Sequence, residues 1–71
     1  MKLTEFELNK EGVIKEILES SASTKLVEFG IFPGVSFLIL NKASFNGPLF
    51  IQIGSNRIAL RRAEAAAIIV E

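Results

Sequence analysis

The side chains of this chain that could do work at a surface are aromatic and basic, while those that carry covalent or metal chemistry are mostly missing. There is no His, no Cys and no Asp. Zinc and most catalytic transition-metal sites draw on Cys or His ligands, so no transition-metal site is expected within one chain. The side-chain carboxylates are all glutamates, among them Glu5, Glu7, Glu11, Glu16, Glu19 and Glu28. Acidic side chains mostly stay in water, which makes a solvated face the plain reading. The sharper reading, a weak cation site built from oxygens, needs a convergence that their spacing does not force. Ser20, Ser21, Ser23, Ser36, Ser44 and Ser55 have no histidine to activate them, and Lys25 would need burial to act as a base. No glycine-rich stretch ends in Gly-Lys-Ser or Gly-Lys-Thr, so nucleotide hydrolysis is not expected. No catalytic, cofactor-binding or metal residue is assigned, and the chain reads as a non-enzyme.

What remains is a partner-binding surface. Of the six phenylalanines, Phe29 and Phe37 fall on predicted core faces, whereas Phe32 lies beside a turn, Phe45 on a loop and Phe50 on a face that also carries Arg57 and Arg61. Aromatic and Arg side chains are the usual anchors of protein interfaces. The candidates are therefore Phe50, Arg57 and Arg61 on one face and Phe32 and Phe45 on another. Against this, a loop Phe in so small a domain often folds back as a lid, and Arg57 and Arg61 could simply keep an outward face soluble. Arg62 is placed to pair with Glu64 or Glu28.

The elements that must position these residues follow from changes of hydrophobic period. Residues 12–18 are rich in β-branched side chains and predict a first strand. Ile14 and Ile17, three apart, need opposite faces or a bulge there, or else a short helix. Ser20-Ser21-Ala22-Ser23 offers N-caps for a helix whose inward stripe is Ala22, Leu26 and Phe29, with Gly30 as its C-terminal stop. Pro33-Gly34 predicts a turn. Val35, Phe37 and Ile39 then alternate with Ser36, Leu38 and Leu40, both sets rather apolar, so this strand is expected to be covered on both sides by the barrel interior and the helix. Residues 41–48 form a loop with Asn46-Gly47 as its turn signal. A hairpin follows: Leu49, Ile51 and Ile53 lead into Gly54-Ser55-Asn56, and Ile58 and Leu60 lead out. Residues 62–66 predict a short helical turn and residues 67–70 a final strand. A mainly β fold with one inserted helix results, a small barrel of about five strands, closed or partly closed, in one domain over residues 1–71.

Composition agrees with a folded binding module. Hydrophobic residues make up 49% of the chain and charged residues 23%, which argues against disorder. Eight Lys and Arg balance eight Glu, so phosphate-backbone binding to nucleic acid is not expected. The asymmetry is mild: the first 30 residues carry −2 and the remainder +2. The acidic start lacks the apolar run of a secretory signal, and Pro33, Gly34, Gly47, Pro48 and Gly54 interrupt every uncharged stretch short of a membrane span. With no cysteine, an intracellular setting is expected. Small barrels pair through exposed strand edges, and residues 35–40 would be the segment for a weak homo-oligomer if they lay at an edge.

Taken in order, five pieces resemble the FeoA family. They are a leucine-rich start at Leu3 and Leu8, Gly12, the pattern Leu-x-x-x-Gly-hydrophobic-x-Pro-Gly at 26–34, Gly47-Pro48, and hydrophobic-Ala-Leu-Arg-x-x-Glu-Ala at 58–65. The resemblance spans residues 3–70. It departs at Ser44-Phe45-Asn46, where Pro-Leu-Gly is frequent, and at Lys25, where arginine is. The resemblance implies an SH3-like barrel acting in the cytoplasm beside a membrane ferrous-iron transporter whose cytosolic portion carries a GTPase domain. It also resembles the C-terminal SH3-like domains of iron-dependent repressors, which implies a second reading, regulation through a partner regulator. Direct iron delivery is a third, made difficult by the missing Cys and His.

Overall fold

The computed structural model describes residues 1–20 and 23–71. Five strands form one antiparallel sheet: β1 (Glu11–Ile17), β2 (Ser36–Lys42), β3 (Leu49–Ile53), β4 (Asn56–Leu60) and β5 (Ile68–Val70), in the order β4-β3-β2-β1-β5. Two short helices interrupt them, α1 (Ser23–Glu28) and α2 (Arg62–Ala66), and a 3-10 turn at Leu3–Glu5 precedes them all. That turn has no counterpart in the sequence reading, because three residues are too few to show a period. Ser21 and Ala22, two of the expected helix-start residues, lie outside the described residues.

Strand β1 serves two partners. Glu11, Gly12 and Val13 pair with Leu38, Phe37 and Ser36 of β2, and Ile14, Glu16 and Ile17 pair with Val70, Ile69 and Ile68 of β5. The register slips between Ile14 and Glu16, leaving Lys15 as the extra residue of a bulge. The slip answers the three-residue spacing of the isoleucines: Ile14 is buried and Ile17 packs against the same core.

Helix α1 stops as expected at Gly30, whose φ of +82° would place a Cβ against the following carbonyl in any other residue. The Gly30 N–H donates to the Val27 carbonyl (2.9 Å) and the Ile31 N–H to the Leu26 carbonyl (3.0 Å). These are the paired bonds of a Schellman motif, and the two residues at its hydrophobic positions, Leu26 and Ile31, are both fully buried in the core. The Val35 N–H then donates to the Phe32 carbonyl (3.2 Å) across Pro33-Gly34, closing the expected turn.

The core gathers the inward residues of every strand, with Leu3, Phe6, Leu26, Ile31 and Ala65 closing its ends. Phe6 and Phe37 meet edge-on at 5.1 Å between ring centroids. Two expectations about β2 need correction. Its outer residues Leu38 and Leu40 are only half-buried and Ser36 is exposed, so the strand is not covered on both sides. Nor is it an edge; β3 and β1 flank it, which removes it as a surface for self-pairing. The end strands are β5 and β4. Residues 1 and 2 cover β5, through a Lys2–Ile69 bridge and a Val70 N–H bond to the Met1 carbonyl (2.8 Å). Strand β4 has no such cover among the described residues.

Candidate functional site

The two-residue connection Gly54-Ser55 sets the register of the β3–β4 hairpin, placing Phe50 opposite Ala59 and Gln52 opposite Arg57. Side chains alternate across a strand. Phe50, Gln52, Arg57 and Ala59 therefore share the outer face, with Arg61 continuing it, while Leu49, Ile51 and Leu60 are buried on the other. Phe50 is 38% exposed, and Arg57, Ala59 and Arg61 are exposed. The Gln52 side chain donates to the Gly54 carbonyl (3.2 Å), tying the face to its own turn. Beside it, Glu11, Ser36, Leu38 and Gln52 border a shallow groove. The first three candidate residues are thus brought together.

Phe32 and Phe45 are not. They lie on the connections at opposite ends of β2, so they form no common face. Neither folds back as a lid: Phe32 is 48% exposed and Phe45 is 102% exposed. The turn that presents Phe45 is also shifted from the sequence expectation. Its central residues are Phe45 and Asn46, with φ of +57° and +58°, and Gly47 closes it by donating to the Ser44 carbonyl (3.1 Å). Gly47 itself has no positive φ; a Cβ there would meet the Ala43 Cβ at 2.8 Å. A left-handed conformation costs a bulky residue about 1–2 kcal/mol, and the exposed ring returns no burial. Replacing Phe45→Asn should raise stability by roughly 0.5–1 kcal/mol in chemical denaturation, since Asn tolerates this region. A loss of stability would show that the ring has packing not visible in its exposure.

The basic residues behind that turn hold it in place. The Arg62 guanidinium donates to the Ala43 carbonyl (3.3 Å) and Lys42 Nζ to the Thr4 carbonyl (3.0 Å). Arg62 therefore pairs with neither Glu64 nor Glu28. Glu64 is instead the buried carboxylate of the chain, at 8% exposure. Its Oε1 accepts the Arg61 N–H (2.8 Å) at the start of α2, and its Oε2 meets Lys25 Nζ of α1 at 3.1 Å. The Arg61 N–H bond, with further help from Lys25, holds the Glu64 carboxyl below its ordinary range despite burial. Sequence reading missed this link because Lys25 and Glu64 are far apart along the chain. The other seven glutamates are exposed, and the described residues contain no group of three or more His, Cys, Asp or Glu that could hold a metal ion.

With this geometry established, the pattern of the FeoA domain matches residues 1–71. The chain belongs to the FeoA domain family. An iron uptake regulatory protein, FeoA, is 30% identical with a TM-score of 0.86, covering 99% of this chain and 92% of its own. Stenotrophomonas maltophilia FeoA, solved with zinc and described as a prokaryotic SH3 domain protein proposed as a ferrous iron transport activating factor, is 28% identical with a TM-score of 0.86. It covers 100% of this chain and 89% of its own. A manganese-dependent transcriptional repressor shares the fold, at 20% identity and a TM-score of 0.87 over 96% of this chain and 39% of its own. Comparison with curated proteins finds no match. The FeoA fold is thus SH3-like, and the family is an accessory of iron transport. Among the described residues no helix is long and apolar enough to cross a membrane.

Proposed function

We propose that the chain is a non-enzymatic cytoplasmic accessory protein of ferrous-iron uptake. It docks on the cytosolic part of a membrane ferrous-iron transporter that carries a GTPase domain, and supports its assembly or activity. The observation that carries this reading is an FeoA domain whose β3–β4 hairpin presents Phe50, Arg57 and Arg61 together and exposed. Ferrous iron enters as the transporter's cargo. The zinc of the S. maltophilia protein is not carried over, because the chain has no His or Cys with which to hold it.

Replacing Phe50→Ala and Arg61→Ala together should weaken binding to the transporter's isolated cytosolic portion about tenfold or more, as measured by calorimetric titration, with the circular dichroism spectrum unchanged. Unchanged affinity removes this face from the interface. The second reading, action through a partner transcriptional regulator, has the repressor-like fold in its favour. Anaerobic affinity purification with mass spectrometry separates the two: a large membrane protein with a GTPase domain supports the accessory role, and a DNA-binding regulator without it supports the other.

A further inference from the structure

Among the described residues, strand β4 is hydrogen-bonded to a neighbour on one side only. Its two-residue connection to β3 makes Ile53 and Asn56 the closing hydrogen-bonded pair. Such pairs alternate along an antiparallel ladder, so Ile58 and Leu60 turn their amides toward β3 while Arg57 and Ala59 turn theirs away from it. Beyond Ala59 the ladder cannot continue: the Arg61 N–H is taken by Glu64 (2.8 Å) and the Arg61 carbonyl by the Ala65 N–H (3.0 Å). The open edge is therefore short, with the N–H and C=O groups of Arg57 and Ala59 directed outward. Side chains repeat every two residues, so Arg57, Ala59 and Arg61 stand in a row on the exposed face beside this edge.

We propose that this edge takes up an extended acidic segment of the partner as an added antiparallel strand. A small or apolar residue lies opposite Ala59, and a carboxylate lies two places to either side, opposite Arg57 and Arg61. The backbone groups supply the hydrogen bonds, and the arginines select sequence and register. Phe50, across from Ala59, extends the apolar surface under the central residue. A second copy of this chain is the wrong occupant. Antiparallel pairing of β4 with itself about Ala59 sets Arg57 against Arg61 at both ends, and like charges directly opposite destabilise a ladder. The same two arginines that guard the edge against self-pairing thus admit an acidic strand.

This inference rests on the docking role proposed above and names its mode. The probe is a capped threonine peptide with valine at its centre and a glutamate two places to either side, titrated into the isotope-labelled full chain. The Arg57 and Ala59 amides should shift and exchange more slowly with solvent. Lysine in place of the glutamates should weaken binding about tenfold or more. Ala59→Pro removes one outward N–H without touching the β3 ladder, a substitution edge strands tolerate, and should cost about fivefold or more in peptide affinity. Should that variant fold poorly, N-methylation of the central valine removes the matching donor from the peptide and should cost as much. Equal binding of the N-methylated peptide, equal binding of the lysine peptide, or self-association through these amides overturns the proposal. With the transporter's cytosolic portion as probe, no binding by the unaltered chain removes the docking role and this proposal together. Binding that Ala59→Pro leaves unchanged overturns the proposal alone.

Discussion

Gly12→Val should lower stability by about 3 kcal/mol, and Gly12→Ala by about 2, which in a domain this small moves the melting temperature down by roughly 10–20 °C. Gly12 sits in β1 directly beneath the crossed rings of Phe6 and Phe37, and a Cβ built on it meets the Cζ atoms of both rings at 2.6 Å. Carbon atoms pack at about 3.5–4 Å, so both rings must move by about an ångström. Neither has free space to enter: Phe37 and Phe6 are buried, and Phe37 stands in the middle of the sheet on β2, where Gly12 is its cross-strand partner. Scanning calorimetry of Gly12→Ala, alone and combined with Phe6→Leu, separates the causes. If the clash with Phe6 is responsible, the smaller Leu relieves part of it and the two changes couple by roughly 1 kcal/mol. A Gly12→Ala protein that melts with the wild type would show that the close approach carries no energy.

The second large effect is expected at Glu64, where Glu64→Ala should lose roughly 2 kcal/mol at neutral pH and Glu64→Gln about half of that. Alanine leaves the Arg61 N–H at the start of α2 without its acceptor and leaves Lys25 without its partner, whereas glutamine keeps the first bond and loses the second. The carboxylate joins α1 to α2 across the end of the barrel, so its loss reaches both helices. Lys25 is about half exposed, which keeps the ion pair itself modest; the hydrogen bond to the buried oxygen is the larger part. The pH dependence has a definite sign. Folding holds the Glu64 carboxyl below its ordinary value of 4.5. Its contribution is therefore fully present above that value and disappears as pH falls through the lower folded value. In urea titrations, wild type and Glu64→Gln should differ at pH 7 and converge once the pH has fallen below the lowered folded value. A difference that persists undiminished in acid would mean that the two side chains differ in packing rather than in charge.

Both predictions rest on contacts that the sequence does not show. The elements themselves were largely legible because they depend on local physics: alternation marked β2, β3 and β4, Gly30 marked the end of α1, and the ordered pieces from Leu3 to Ala65 resembled the family. Ile14 and Ile17 showed that β1 is irregular, and the bulge at Lys15 is its physical form. The turn at Ser44 to Gly47 was less legible. Asn46-Gly47 is the stronger local signal, but the register of β2 against β3 centres the turn one residue earlier and puts Phe45 into the left-handed region.

The candidate surface divides in the same way. Phe50, Arg57 and Arg61 could be placed on one face from sequence, because a period of two determines which side chains align, even though Asn56, read there as part of the turn, begins β4. The common face that sequence suggests for Phe32 and Phe45 does not form, since two loops meet or separate according to the path of the strands between them. By itself, then, the sequence determined the strand and helix content, the family, the absence of His and Cys, and the outward row on the hairpin, all of which follow from residue type and short spacing. Tertiary structure alone decided that β2 is interior and β4 an open edge, that Gly12 lies beneath two rings, that Lys25 reaches Glu64 and that Arg62 holds the Phe45 turn. Those facts depend on which distant segments become neighbours, and burial of the whole core sets that arrangement.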